Sequence, residues 1–161
     1  MPEKKTMERA RKDAREGKAA STQAGEFVRE EMDHIREGKH GARSAKQAIA
    51  IGLSKARRAG VKLPPPKTGK SSAETRSQAA RDYKKGQESP RRKPSPTRSR
   101  ATKKALKREG TQAASATALS RQAHASARKR GAADRQRAAK KAVPDQAQVL
   151  GKSFDTESGN T

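Results

Sequence analysis

The stretch SAKQAIAIGLSKARRAGV, residues 44–61, decides how the rest of the chain is read. Within it Ala45, Ala48, Ile49, Gly52, Leu53 and Ala56 fall at i, i+3, i+4, i+7, i+8 and i+11, the spacing that stacks side chains on one face of a helix. Ser44 with Gln47 three residues on makes a capping-box pair. Gly60 followed by Val61 makes a Schellman-type stop, with an apolar residue placed to fold back on Ala56. These signals predict a helix from Ser44 to Ala59.

A partner helix lies just upstream. From Ser21 to Glu37 the apolar residues Ala24, Phe27, Val28, Met32 and Ile35 share one face, with Ser21 or Thr22 as N-cap and Gly38 as stop. The connection from Gly38 to Arg43 then closes a helical hairpin, with Val61 and Leu63 as lids. Its apolar content is small against the entropy of ordering it, so self-association as a homodimer, or folding on a ligand, is expected to complete it.

Outside the hairpin the chain changes character. Residues 1–63 carry sixteen basic and nine acidic groups, residues 64–143 carry twenty-three and five, and residues 144–161 carry one and three. Pro64, Pro65 and Pro66 force an extended segment that no helix crosses, which places a boundary there. A weak rhythm also runs along the chain: basic, Ala-rich segments end in Gly17, Gly38, Gly60, Gly86, Gly110 and Gly131, spaced 21 to 26 residues apart. Glycine accepts the left-handed conformation past a helix end, so the rhythm predicts serial helices with similar stops. The segments lack a shared apolar face, which excludes a stacked solenoid.

Composition then selects a partner. The whole chain has 161 residues and a formal net charge of +23, with two Phe, one Tyr and no Trp. Leu, Ile, Val and Phe supply only fourteen side chains, so an uninterrupted core across the chain is not expected and part of it should be disordered. A polyanion repays such charge by releasing counterions, which makes nucleic acid the leading partner. No stretch is apolar enough for a membrane span, and the first residues lack a secretory signal, so a cytoplasmic, nucleoid location is expected. Zero cysteines exclude disulfides, thiol catalysis and thiolate metal sites. No phosphate-binding loop, zinc-finger spacing or aromatic stacking platform appears. With no cleft-forming domain to desolvate an acid or base, no enzyme activity and no cofactor are expected.

Two sets of residues are candidates for contact with nucleic acid. On the hairpin, Gln47, Ile51, Ser54 and Arg58 lie opposite the apolar stripe of the second helix, with Arg43 and Arg57 nearby. An amide, methyls and guanidinium groups there could read a major groove or contact phosphates. The connection is longer than that of a helix-turn-helix, which favours phosphate contact. In the basic arm the candidates are Arg91, Arg92, Lys93, Arg98, Arg100, Lys103, Lys104, Lys107, Arg108, Arg128, Lys129, Arg130, Lys140 and Lys141. Ser-Pro steps around Ser89 and Ser95 favour a turn that gathers cations, and both serines could accept a phosphate that subtracts charge. The segments Ser99 to Glu109, Ala113 to Arg130 and Ala132 to Val143 are marginal helices that a polyanion would strengthen.

Three histidines, His34, His40 and His124, leave little for imidazole chemistry. Glu30, Asp33, His34 and Glu37 gather on one face of the first hairpin helix, and Glu31 with His34 has the Glu-x-x-His spacing of di-iron bundles. Such centres need ligands from other helices and no second copy exists. The cluster therefore reads as a solvated acidic face, or one that docks against the arm, and no metal is expected.

The segment STQAGEFVREEMDHIREGKHGARSAKQAIAIGLSKARRAGVKLPPP, from Ser21 to Pro66, resembles a family of small basic bacterial proteins of unknown function, sometimes labelled DNA-binding or plasmid-stabilisation. The Ala/Lys/Arg-rich tail is similar in composition to the tails of linker histones and bacterial histone-like proteins. These resemblances imply an association with DNA and hand over no catalytic residues.

The expected protein is all-α and partly disordered: a basic N-terminal helix over 1–20, a helical hairpin over 21–63, a Pro/Ser-rich basic linker over 64–98, a basic Ala-rich helical arm over 99–143 and an acidic tail over 144–161. Its expected role is non-catalytic, architectural DNA binding largely independent of sequence. RNA or ribosome association is the alternative, as is a protein-binding adaptor or stability factor that the arm localises.

Overall fold

The computed structural model describes residues 2–88, 95–132, 134, 136 and 137. The protein is all-α: among the described residues there are six helices, a single 3-10 turn and no strand. The helices are α1 (Lys4–Arg15), α2 (Ala20–Arg36), α3 (Ala45–Arg58), α4 (Ala73–Gln87), α5 (Pro96–Lys107) and α6 (Ala116–Lys129), with the 3-10 turn at Gln112–Ala114 between α5 and α6. The chain divides into two compact units, Met1–Leu119 and Ser120–Thr161. The acidic tail, Lys140 and Lys141, and Ser89 with Arg91, Arg92 and Lys93 lie outside the described residues.

In the first unit α2 and α3 form the hairpin, antiparallel, and the apolar stripes meet as expected. Ala24, Phe27, Met32 and Ile35 of α2 are buried, as are Ala45, Ala48 and Ala56 of α3. Two clusters result. One joins Met32, Ile35, Ala42 and Ala48 to Ala113 and Ala114 of the 3-10 turn, with Leu119 alongside. The other joins Phe27, Ala24, Ala56 and Val61 to Ala10 of α1, with Leu53, Leu63 and Met7 packed around it. The hairpin's apolar faces are thus covered by α1 and by the 3-10 turn. Burial within the chain supplies what the sequence argument sought from a dimer.

Small residues set how closely these parts approach. A Cβ on Gly52 would sit 2.7 Å from the Val28 Cα, so glycine here is a contact residue that lets α2 and α3 cross tightly. Gly41 is equally constrained, because a Cβ there would lie 1.9 Å from the Glu109 carbonyl oxygen. Its N–H donates to the Leu106 carbonyl at 2.9 Å and that of Ala42 to the Gly110 carbonyl at 3.1 Å. The hairpin connection and the end of α5 are therefore joined backbone to backbone.

The helix stops divide into two kinds. At Gly17, Gly38 and Gly60 φ is 70°, 70° and 98°, and each carries both Schellman hydrogen bonds. After α3 these are Val61 N–H to Ala56 O at 3.1 Å and Gly60 N–H to Arg57 O at 3.0 Å, with Val61 buried on Ala56. The rhythm fails beyond the hairpin. Gly86 lies inside α4, where a Cβ would meet the Arg57 carbonyl oxygen at 1.8 Å, so it marks close packing on α3 and not a stop. Gly110 and Gly131 do not adopt positive φ either.

Two starts also differ from expectation. Neither Ser21 nor Thr22 caps α2, which begins a residue before Ser21, after an Ala19 N-cap that offers no side-chain acceptor. Packing of Ala20 against the second cluster outweighs the missing cap. The Ser95-Pro96 step opens a helix instead of the expected turn, with Pro96 in the first position, where its absent N–H costs nothing.

Candidate nucleic-acid interface

The face of α3 that could read a groove is occupied. Asp82 of α4 is 1% exposed and accepts a hydrogen bond from the Ser54 hydroxyl at 2.7 Å. The same carboxylate pairs with Arg58 Nε at 2.9 Å and accepts from Gln78 Nε2 at 3.1 Å. Ala79 and Gly86 sit on the same side of α4, so one carboxylate flanked by two small residues seats α4 on α3. Ser54 is thereby half-buried against α4, while Arg58 pairs with Asp82 from a side chain that stays half exposed.

Arg57 is turned inward. It is 7% exposed and donates through Nε to the Leu63 carbonyl at 3.2 Å and through Nη2 to the Pro64 carbonyl at 3.5 Å. Those two carbonyls begin the proline run, whose ring nitrogens carry no donor of their own. Burial pushes the Arg57 guanidinium down from its ordinary value, and the nearby Asp82 carboxylate opposes that shift. Gln47 also serves the fold. Its backbone N–H donates to the Ser44 hydroxyl at 3.2 Å, and its Oε1 accepts from the Arg43 N–H at 2.9 Å, one residue earlier than a capping box would place it. Of the hairpin candidates Arg43 is more open than Arg58, 82% exposed at its side chain with Glu109 at 3.8 Å.

The arm cations behave differently. Helix α5 has no buried residue, and Arg98, Arg100, Lys103, Lys104, Lys107 and Arg108 are all exposed. Arg100, Lys103, Lys104, Lys107 and Arg108 stand at i, i+3, i+4, i+7 and i+8, the template that elsewhere collects apolar residues on one face. At about 100° per residue they fill an arc of about 140°, some 12 Å long at about 1.5 Å rise per residue. Ser99 and Leu106, the only partly buried residues of α5, point to another side. Among the described residues no carboxylate pairs with any of these cations. In the second unit Arg128 and Lys129 end α6 and are exposed, and the exposed Arg130 follows with its N–H donating to the Ala127 carbonyl at 3.2 Å.

Sequence reasoning left out α1. Lys4, Arg11 and Arg15 share one face there and are exposed, with Glu8 beside them. The signal was present as i, i+7, i+11 spacing, diluted by acids nearby.

The acidic cluster of α2 departs from both readings offered for it. Asp33 and Glu37 are exposed, but Glu30 is 5% exposed and Glu31 is fully buried. Glu30 accepts the backbone N–H of Glu3 at 3.1 Å, and Lys55 of α3 lies between the carboxylates of Glu30 and Glu31. The cluster docks on the start of α1 and on α3, not on the arm. His34 Nε2 is 2.8 Å from Glu3 Oε1, and Lys39 also approaches that oxygen, at 3.5 Å. The hydrogen bond to His34 holds the Glu3 carboxyl below its ordinary value; burial opposes it and the Lys39 charge adds to it.

Comparison with known proteins adds a family but no activity. Residues 15–67 match a family of unknown function (DUF6496). That segment runs from the end of α1 through the hairpin to the proline run. No curated protein and no solved structure matches the chain.

Proposed function

We propose that this protein binds duplex DNA without catalysis, through phosphate contacts that do not depend on sequence, in an architectural role. The observation that carries this reading is the cationic stripe of α5, five exposed side chains without carboxylate partners among the described residues, on a helix that buries nothing. Cations in a fold that needs them end on carboxylates or carbonyls, as Arg57 and Arg58 do. A stripe left unpaired, in a chain of net charge +23, suits a surface that carries the compensating charge itself. The α3 face with groove-reading residue types lies beneath α4, which favours backbone contact over base readout. No described helix is long and apolar enough to cross a membrane.

Fluorescence anisotropy with unrelated DNA duplexes of equal length tests the proposal. Equal affinities, falling together as salt rises, are expected. A preference of a hundredfold or more for one sequence would replace architectural binding by direct readout. A clear preference for duplex RNA would favour the ribosome-associated alternative, and salt-insensitive capture of one protein at fixed stoichiometry would favour the adaptor.

A further inference from the structure

Glu31 is the most deeply buried charged group of the hairpin, and neither of its carboxylate oxygens receives a hydrogen bond. Lys55 pairs with Oε2. Oε1 faces His40 Nε2 at 3.4 Å, a separation without hydrogen-bond geometry. The other ring nitrogen of His40, Nδ1, lies 3.2 Å from the Gly41 carbonyl, where a proton on Nδ1 is donated. In that tautomer Nε2 is bare, so two acceptors, the Nε2 lone pair and Glu31 Oε1, lie 3.4 Å apart. A positive centre between them, a proton or a metal ion, would satisfy both.

His34 completes the group. It stands one turn after Glu31 on α2, and ligand atoms of Glu31, His34 and His40 all lie within 4.8 Å of one another. We infer that Glu31, His34 and His40 form a site for a divalent transition-metal ion of the zinc class. Bonds of about 2.0–2.1 Å at a tetrahedral angle separate ligand atoms by about 3.3 Å, close to the gap between Glu31 and His40. Two imidazoles and one carboxylate select zinc-like ions over magnesium or calcium, which prefer all-oxygen shells. The Gly41 carbonyl orients the His40 ring as outer partners of metal-bound histidines do, and Glu3 Oε1 at 2.8 Å from His34 Nε2 either orients that ring or joins it on the ion. Glu3, Glu30 and Glu31 outnumber Lys39 and Lys55 around the site, so a cation is accepted locally despite the charge of the whole chain. The side chains of His34 and His40 are 15% and 17% exposed, which gives the ion a path in.

The sequence argument set a metal aside because no other helix supplies a ligand. His40 supplies it from the connection that follows α2. That connection also receives the carbonyls of Leu106 and Gly110, so an ion held by His40 stiffens the seat of α5.

The test uses the untagged full-length chain, stripped with a chelator and titrated with Zn²⁺, or with Co²⁺ for its visible absorption. One equivalent is expected to bind, Co²⁺ to show the intense bands of a low-symmetry site, and the melting midpoint to rise by about 5–10 °C at a hundredfold excess over Kd. His40→Ala and His34→Ala are each expected to weaken binding at least about tenfold, and His124→Ala to leave it unchanged. The histidine variants carry the test because Glu31→Gln can unfold the hairpin. An unchanged melting midpoint with Zn²⁺ would show that a proton alone bridges His40 and Glu31 and would overturn the inference. So would full affinity in His40→Ala, or loss of binding in His124→Ala.

Discussion

Arg57-Arg58 at the end of α3 and Lys103-Lys104 in the middle of α5 look alike in sequence, each a pair of adjacent cations in an Ala-rich helix, yet the fold treats them as opposites. Arg57 is buried on the carbonyls of Leu63 and Pro64, and Arg58 is held by Asp82. Lys103 and Lys104 face water with no carboxylate partner among the described residues. The difference comes from what arrives opposite each pair. A single acid in α4, placed between Ala79 and Gly86, holds Arg58, and the carbonyls ahead of the proline run hold Arg57, whereas among the described residues no acid pairs with the α5 cations and Glu109 faces Arg43. Positive charge alone therefore does not mark a binding surface; charge that the fold leaves unpaired does.

The strongest way to break this comparison is to remove the hairpin core. Phe27 is fully buried between α1, α2 and α3, and Phe27→Ala is expected to cost about 3–5 kcal/mol of stability, read by chemical denaturation. Binding to DNA at low salt should persist, because the α5 stripe draws no side chain from that core. Loss of low-salt affinity would make the hairpin part of the binding element.

Asp82→Ala comes next. It removes the acceptor of Ser54 and Gln78 and the charge partner of Arg58, and about 2 kcal/mol is expected, below the cost of breaking a fully buried pair because Arg58 is half exposed. Hydrogen exchange should then accelerate in residues 73–87 before the rest of the unit. Uniform acceleration would contradict the seating of α4 by this one carboxylate. Arg57→Ala should cost about 1–2 kcal/mol by leaving two carbonyls without donors, with no change in DNA affinity.

How legible the fold was depends on the size of the residues that build it. The α3 helix could be read because Ile49 and Leu53 punctuate its alanines and Ser44 and Gly60 bound it. Helix α4 could not be placed, since its contact side is Ala79, Asp82 and Gly86, which carry almost no apolar signal. Gly86 even read as a stop, because a glycine needed for close approach and one needed for positive φ look the same in a sequence. The coupling of Gly41 and Ala42 to Leu106 and Gly110 is backbone to backbone, and side-chain patterns do not report it. Of the candidate site, the α5 cations were legible as charge. That Arg57 would turn to the Leu63 and Pro64 carbonyls and Arg58 to Asp82 required knowing where the proline run and α4 land.

The smallest expected effect concerns acid. Glu3 has a folded value below its ordinary 4.5, so its contribution is fully present above about pH 4.5 and is lost as pH falls through the depressed value. Glu3→Gln should lower stability slightly at neutral pH, flatten that acid limb of the stability curve, and converge with the parent chain in acid. A steeper limb in the variant would assign the anchoring of the α1 start to another group.

The central claim is tested most directly by the salt dependence of duplex DNA binding in two variants, one with Arg100, Lys103, Lys104, Lys107 and Arg108 changed to Gln, the other with Arg57 and Arg58 changed to Gln. If each α5 cation meets one phosphate, the slope of log affinity against log salt should become shallower by up to about 4.5 in the first variant, with folding stability altered by less than about 0.5 kcal/mol. The second variant should lose stability and keep its slope. An unchanged slope in the α5 variant, or a reduced one in the α3 variant, would contradict the account.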